Sequence, residues 1–284
     1  MHPTPMAQAD QSAHPVQQLR EAVASLEASV LLCLVQLGKV AVHRLRTSTR
    51  RVEAQLELLS MLPGLPPREP QTRSAVRLLK QLRQAAGQLR DIDVQRDLVR
   101  GEVAGSKVTP SLDRELRGEA RRLRRSLKRN GEDASGRLQR LLHKQRARLP
   151  LVFQKMLDAL ARAQSVALSE AELIALARKC FQNRREPSLP DAVPQDTAEL
   201  HEIRKRAKLA RYLAESAPQS FAEAHRFAAR FAALQQAGGE WHDWLILSEF
   251  AADELGDAAI LPERFASRAS RARRAFQRRL RYKI

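Results

Sequence analysis

The sequence predicts an all-α fold on the strength of three observations. Long stretches rich in Ala, Leu, Arg, Glu and Gln carry apolar residues about every 3.6 positions, which is the period of an amphipathic helix. No segment shows the β-branched alternation typical of a strand. Segments that contain Pro and Gly interrupt the helical pattern. With 284 residues, 43% of them hydrophobic, the chain is long enough to bury a substantial core.

The interruptions divide the chain into nine predicted helices, each running from one breaker segment to the next. The breakers lie at 63–67, 101–110, 130–136, 187–194, 217–218 and 256–262. Residues 37 and 38 predict either a break or a kink, so the first two helices could also form one bent helix. The predicted helices span about 15–37, 39–61, 70–100, 111–129, 136–163, 169–184, 197–216, 219–255 and 262–282.

Residues 1–14 precede the first predicted helix, and we expect them to form a flexible N-terminus. They lack the basic start and apolar run of a signal peptide, and the apolar run at 30–35 is too short to span a bilayer. The two cysteines, Cys33 and Cys180, fit no paired metal-binding or redox spacing, and we expect them in the core. These observations favour a cytoplasmic protein.

The charge of the chain indicates an anionic partner. Fifty Lys and Arg residues against 32 Asp and Glu give a formal net charge of +18, and 40 of the cations are Arg. Arg forms paired hydrogen bonds with phosphate oxygens, although a GC-rich genome would also favour it. Aromatic residues make up only 4% of the chain, so base stacking of single-stranded nucleic acid has little support. Phosphate recognition is therefore favoured over base recognition.

Two predicted helices each carry a histidine and several basic residues on one face. At about 100° per residue, His43, Arg46 and Arg50 lie within an arc of roughly 60°, as do the first three residues of the second set. Arg211 widens the second arc to roughly 80°. The opposite face of each helix is apolar, so we expect that face to be buried. This ordered spacing favours a shaped anion site. The first set is His43, Arg46 and Arg50, followed by Arg51, and the second is His201, Arg204, Lys208 and Arg211.

The chain also carries an internal duplication. The histidines are 158 residues apart, segment 82–91 parallels segment 234–243 at an offset of 152, and a second basic stripe recurs at an offset of 150. We therefore predict two pseudo-symmetric repeats, 15–135 and 136–284, each an antiparallel bundle of about four helices. Basic faces turned toward each other would line a groove of positive potential, whereas solvated outer faces are the alternative. The second stripe comprises Arg114, Arg121, Arg124 and Lys128, and then Arg264, Arg271, Arg274 and Arg278.

The two histidines admit several roles. Neither has a ligating residue four positions later, and no nucleophile or oxyanion arrangement accompanies them, so neither a metal site nor catalysis is favoured. We interpret them as hydrogen-bond donors to phosphate oxygens, with a structural role as the alternative. The sequence predicts no cofactor and no metal site.

A glycine followed four residues later by an aspartate occurs in both repeats. We interpret Gly87 and Gly239 as allowing close approach of a neighbouring helix, and Asp91 and Asp243 as orienting partners of the basic stripes. Purely structural ion pairs are the alternative. Arg90 is the residue of this segment that we most expect to face a ligand.

These motifs together resemble the CHAD domain, the conserved histidine α-helical domain. The resemblance rests on Val42-His43-Arg44-Leu45-Arg46, on Ala86 to Asp91, on Leu200 to Arg204 and on Gly239 to Asp243, and covers about residues 16–282 as a single domain. It implies two helical bundles around a basic central groove that binds inorganic polyphosphate, including association with polyphosphate granules. The residues it implies in the groove are His43, Arg46, Arg50, Arg51, His201, Arg204, Lys208 and Arg211.

The chain departs from the family pattern at Glu53, Ala86 and His242, so the two halves are expected to contact a ligand unequally. The alternating glutamates of a triphosphate-tunnel hydrolase, which accompanies some members, are missing. We therefore expect binding without hydrolysis. The alternative functions are a nucleic-acid-binding helical protein, and a phosphohydrolase that uses His43 or His201.

Overall fold

The all-α prediction is confirmed. The computed structural model describes residues 12–62, 70–105, 109–182, 196–256 and 258–281, which form nine α-helices and a short 3₁₀ turn without any β-strand. None of the helices in these ranges is both long and apolar enough to cross a bilayer. The helices are α1 (Pro15–Val35), α2 (Lys39–Ser60), α3 (Pro70–Ala104), α4 (Pro110–Gln145), α5 (Arg148–Ala159), α6 (Glu170–Gln182), α7 (Thr197–Glu215), α8 (Ala222–Leu255) and α9 (Ile260–Arg281).

Most predicted helices lie within a few residues of the observed ones, and residues 36–38 form a break between α1 and α2. The predicted break at 130–136 is wrong, because α4 runs straight through it. Leu127, Ala134 and Leu138 recur at helical spacing and are at most 1% exposed. Packing of this continuous apolar stripe outweighs the helix-weakening effect of Gly131 and Gly136. The proposed repeat boundary between residues 135 and 136 consequently falls inside α4.

The helix predicted at 136–163 is interrupted near its middle, at residues 146–147, where α4 gives way to α5. Pro150, the third residue of α5, explains this position. A proline ring collides with the carbonyl four residues earlier, here that of Arg146, and proline has no backbone N–H to donate. The sequence therefore contained the signal for the actual break.

The predicted flexible N-terminus covers residues 1–14, of which 1–11 lie outside the described residues. For residues 12–14 the prediction is wrong. Ala13 is fully buried and exchanges two backbone hydrogen bonds of 2.8 Å with Leu168, in the connection before α6. These bonds fix the chain immediately before α1 begins.

Two clusters of buried apolar residues form the core. The larger one includes residues of every helix, and it contains both cysteines, as predicted. The smaller one lies where α3, α4, α8 and α9 meet, around Leu123 and Phe265. Both clusters combine helices from the two predicted repeats, so the repeats share their core. The breakers predicted at 63–67 and 187–194 lie outside the described residues.

Two acidic residues connect α9 to the first half of the chain. Glu119 in α4 is 3% exposed, and its two oxygens accept hydrogen bonds from the backbone N–H groups of Ile260 at 3.0 Å and Leu261 at 2.8 Å. These groups belong to the first turn of α9, whose N–H groups have no partner within the helix. Glu102 in α3 accepts a hydrogen bond of 3.0 Å from Arg268. Glu119 thus caps α9 from another helix.

We expect Glu119→Ala to lower the free energy of unfolding by about 1–3 kcal/mol, because it leaves two backbone donors without their acceptor. Glu115→Ala, an exposed position on the same helix, is the control and should change stability by less than about 0.5 kcal/mol. Urea denaturation followed by circular dichroism measures both. Equal stability of the two variants would contradict this capping role.

Candidate cation site between helices α2 and α7

Helices α2 and α7 pack directly against each other, and this contact brings the two histidine-bearing helices together. Their apolar faces are buried as predicted: Leu45 and Val52 in α2 are fully buried, and so are Ala207 and Ala210 in α7. Because the basic residues lie on the remaining faces, the packing that buries the apolar residues also brings the basic residues close together.

Four cations meet at this contact, namely Arg46 and Arg50 from α2 and Arg204 and Lys208 from α7. We call them the α2–α7 cation cluster. Burial and the charges of Arg204, Arg46 and Arg50 lower the pKa of Lys208 to about 7. The three arginines are therefore near enough to the ammonium group to repel it in a partly desolvated place. The two predicted stripes are brought into one site.

Arg204 is the most enclosed arginine of the cluster. Burial lowers its pKa to about 10, although Asp243 opposes this effect. Its Nε is buried and has no hydrogen-bond partner among the described residues, while its Nη2 lies 3.4 Å from Nε2 of His201. A guanidinium only donates, so Nε2 of His201 accepts in this arrangement. The imidazole therefore points its lone pair at the arginine.

The aspartates of the repeated glycine–aspartate segments lie beside the cluster. Arg46 donates from Nη2 to Oδ1 of Asp91 at 3.4 Å. Asp243 is electrostatically coupled to Arg204, Arg46 and Lys208, and its pKa is raised by burial and by Asp91. Two carboxylates thus partly compensate four cations.

Glu53, the departure from the family pattern, neutralises part of the first stripe. It accepts a hydrogen bond of 3.2 Å from Arg50 and one of 2.8 Å from Arg83. Arg211 is engaged in a similar way, since its Nε donates to Glu215 at 2.6 Å. Arg50 and Arg211 are consequently held by carboxylates of their own helices, whereas the charges of Arg204 and Lys208 are less compensated.

The two histidines occupy different surroundings. His43 is exposed as a whole, and partial desolvation of its ring together with the charges of Arg90 and Arg46 lowers its pKa. Together with Arg51 it lines a pocket of about 440 Å³ between α1 and α2, which also contains hydroxyl groups such as that of Ser48. Arg51 therefore faces α1 and lies apart from the cluster.

His201 is held among aromatic rings. Its ring lies edge-on to Trp241 at 5.8 Å and to His242 at 4.5 Å. Burial, together with Arg204 and His201, lowers the pKa of His242 to about 3, so this imidazole is neutral. Since His242 stands where the first repeat has Arg90, the second repeat has no cation at this position.

The second basic stripes stay mostly on the surface. All members of the α4 stripe are exposed, and Arg124 and Lys128 line a pocket between α3 and α4. In the α9 stripe, Arg264 lies 3.8 Å from Glu102 and is half-buried. The other three residues of that stripe, Arg271, Arg274 and Arg278, are exposed.

The interpretation of Gly87 and Gly239 as points of close helix approach is wrong. A Cβ atom at either position would meet no atom within 4 Å. The close approach occurs at Gly238, where a Cβ would lie 3.0 Å from the ring of Phe276 and 3.1 Å from Cγ of Arg204. Its counterpart at an offset of 152 is Ala86, which is fully buried.

Sequence reasoning also missed several residues that contribute to the site. Trp241 fixes His201, and Arg83 shares Glu53 with Arg50. The sequence did indicate which face of segments 82–91 and 234–243 is packed, because the small residues Ala86 and Gly238 occupy matching positions in them. Within the described ranges no group of three or more His, Cys, Asp or Glu residues could hold a metal ion. The arrangement is suited to an anion that contacts several cations at once.

The different surroundings of Gly87 and Gly238 predict opposite stability changes on substitution by alanine. We expect Gly87→Ala to raise the free energy of unfolding by about 0.5–1 kcal/mol, since alanine favours the helix and meets open space. Gly238→Ala should lower it by about 1–3 kcal/mol, because the methyl group crowds the buried ring of Phe276. Urea denaturation distinguishes the two, and the same sign for both variants would contradict the assignment.

Comparison with known proteins places this geometry in a family. The CHAD domain family matches residues 16–252. PptA from Streptomyces chartreusis is similar in structure, with a TM-score of 0.62 at 18% identity over 94% of this chain and 98% of that one. The CHAD domain from the plant Ricinus communis gives a TM-score of 0.58 at 17% identity over 97% of this chain and 91% of that one. At these identities the two structures support the fold alone, and no curated protein matches the chain. Because the family match covers most of its length, the chain belongs to the CHAD domain family.

Proposed function

We propose that the protein binds inorganic polyphosphate at the α2–α7 cation cluster and does not hydrolyse it. The observation that carries this proposal is the gathering of three arginines and Lys208 from two helices in a partly buried place, where the arginines repel the protonated form of Lys208. Family membership supports the choice of ligand, because the resemblance to CHAD domains implies polyphosphate binding. It also supports a cytoplasmic protein associated with polyphosphate granules.

The cluster favours a polyanion for an electrostatic reason. Cations that are removed from water and crowded together destabilise the free protein, and phosphate oxygens relieve this by charge-assisted hydrogen bonds. The Nε of Arg204 is a buried N–H donor without a partner among the described residues, so this guanidinium has hydrogen-bonding capacity that the free protein does not use. A ligand with a negative charge on each repeating unit can satisfy several cations at once.

The site offers little to the bases of a nucleic acid. The aromatic rings of Trp241, Tyr212 and Phe276 lie beside the cluster, and these residues are at most 9% exposed. Base stacking requires an accessible ring face, so these rings do not provide a platform for single-stranded nucleic acid. We therefore expect selection for the phosphate chain itself.

We expect the double variant Arg46→Gln/Lys208→Met to bind polyphosphate at least about tenfold more weakly, since each charge-assisted contact contributes roughly 1.5–3 kcal/mol. The matched control is Arg44→Gln/Lys205→Met, which removes one Arg and one Lys from exposed positions on the same two helices. Isothermal titration calorimetry with polyphosphate at physiological salt measures the affinities, and circular dichroism verifies the helical content.

Equal losses of affinity in the two double variants would contradict a localised site. Displacement of bound polyphosphate by duplex or single-stranded DNA at equal phosphate concentration would instead favour a nucleic-acid-binding protein. Incubation of the wild type with polyphosphate and Mg²⁺ should release no phosphate above the blank, whereas release that depends on His43 or His201 would favour the phosphohydrolase.

A further inference from the structure

A pocket lined only by cations lies between α3 and α4. Its volume is about 400 Å³, and the five residues around it come from both helices. Since α3 and α4 pack through Val99, Leu116 and Leu123 in the smaller core, the cations are not needed to hold the two helices together. We call this the α3–α4 pocket, and its lining residues are Arg96, Arg100, Arg124, Arg125 and Lys128.

The positive charge of this pocket is only weakly compensated. Arg100 lies 3.7 Å from Asp97, but both oxygens of Asp97 already accept from Lys39, at 2.9 and 3.0 Å. Lys128 lies 3.8 Å from Glu132, and both side chains are about two-thirds exposed, so this pair contributes little. Within the described ranges, Arg96, Arg124 and Arg125 form no ion pair, although the carboxylate of Asp93 is electrostatically coupled to Arg96. The pocket therefore attracts an anion.

The pocket continues toward the α2–α7 cation cluster. A neighbouring pocket of about 530 Å³ shares Arg96 and Lys128 with it and extends to Lys39 at the start of α2, and its lining also includes the carboxylates of Asp93 and Glu132. On α3, Arg90 is electrostatically coupled to His43, which is also coupled to Arg46 of the cluster. Arg90 and Arg100 are ten positions apart, which is about 15 Å along the helix axis. Helix α3 thus carries several cations from the neighbourhood of the cluster to the pocket, with Asp93 among them.

The second repeat keeps only two of the five cations, because Arg274 and Arg278 match Arg124 and Lys128 at the offset of 150. At the offset of 152, Ser248 and Ala252 replace Arg96 and Arg100, and at the offset of 150, Ala275 replaces Arg125. The hydroxyl group of Ser248 donates to the carbonyl of Leu245 within its own helix. Because the duplication predicts matching residues in both hairpins, the convergence of five cations is a feature of the α3–α4 hairpin.

We propose that the α3–α4 pocket binds a second stretch of a polyphosphate chain whose first stretch occupies the α2–α7 cation cluster. The proposal rests on the proposed function and adds that the protein prefers long polyphosphate chains to short ones. A long chain reaches both places, whereas a chain of three phosphates occupies the cluster alone. The second contact adds affinity without a second loss of translational freedom.

The test compares tripolyphosphate with long-chain polyphosphate. The variant is Arg124→Gln/Arg125→Gln, and the control is Arg122→Gln/Arg137→Gln, which removes the same charge from exposed positions of α4 outside the pocket. We expect the variant to bind long-chain polyphosphate at least about tenfold more weakly, and tripolyphosphate as well as the wild type does. For the long chain, the slope of log affinity against log salt concentration should become shallower by about 1.4 in this variant, because two phosphate contacts are lost.

Unchanged affinity of the variant for the long chain, or an equal loss for tripolyphosphate, would overturn the pocket proposal while leaving the proposed function intact. An equal effect of the control variant would mean that the loss of affinity follows from net charge alone. This result would also overturn the pocket proposal. If the wild type binds neither ligand, the proposed function itself fails. All variants lie at exposed positions, and circular dichroism verifies that they fold.

Discussion

The crowding of like charges where α2 meets α7 is the constraint on which the rest of the account depends. Two helices with buried apolar faces bring Arg46, Arg50, Arg204 and Lys208 together, and the pKa of Lys208 falls to about 7 as a result. Asp91 and Asp243 compensate part of this charge. The fold tolerates the remaining repulsion because its large shared core stabilises the surrounding helices. A site that is electrostatically unfavourable when free is suited to an anionic ligand.

The two halves of the chain support this site in different ways. In the second half, Trp241 and the neutral His242 hold His201 by ring contacts. In the first half, Leu89 and Arg90 occupy the matching positions, and His43 remains exposed beside a cation. The second half thus provides a packed wall, and the first half provides further positive charge. This division agrees with a ligand that extends from the cluster over the first half.

The sequence predicted the helical class, most helix boundaries and the faces of α2 and α7, because these follow from apolar periodicity alone. It did not predict the continuous α4, since tertiary packing of Leu127 and Leu138 outweighs the local preference of two glycines. The packed glycine is Gly238, and only the position of Phe276, 38 residues later in the sequence, shows this. The compensation of Arg50 and Arg211 by Glu53 and Glu215 depends on side-chain conformations that no spacing rule determines. Periodicity therefore places residues on faces, whereas charge compensation requires the folded structure.

Proton uptake upon polyphosphate binding tests the central claim most directly. The pKa values of Lys208, His43 and His201 are all lowered in the free protein, so these groups are partly or largely deprotonated at pH 7.5. A bound polyanion raises these values and the groups take up protons, so affinity should fall as the pH rises above 7. Calorimetric titration at pH 7.5 in two buffers of different ionisation enthalpy measures the number of protons. Net uptake that decreases in Lys208→Arg supports the account, whereas zero exchange or proton release would contradict it.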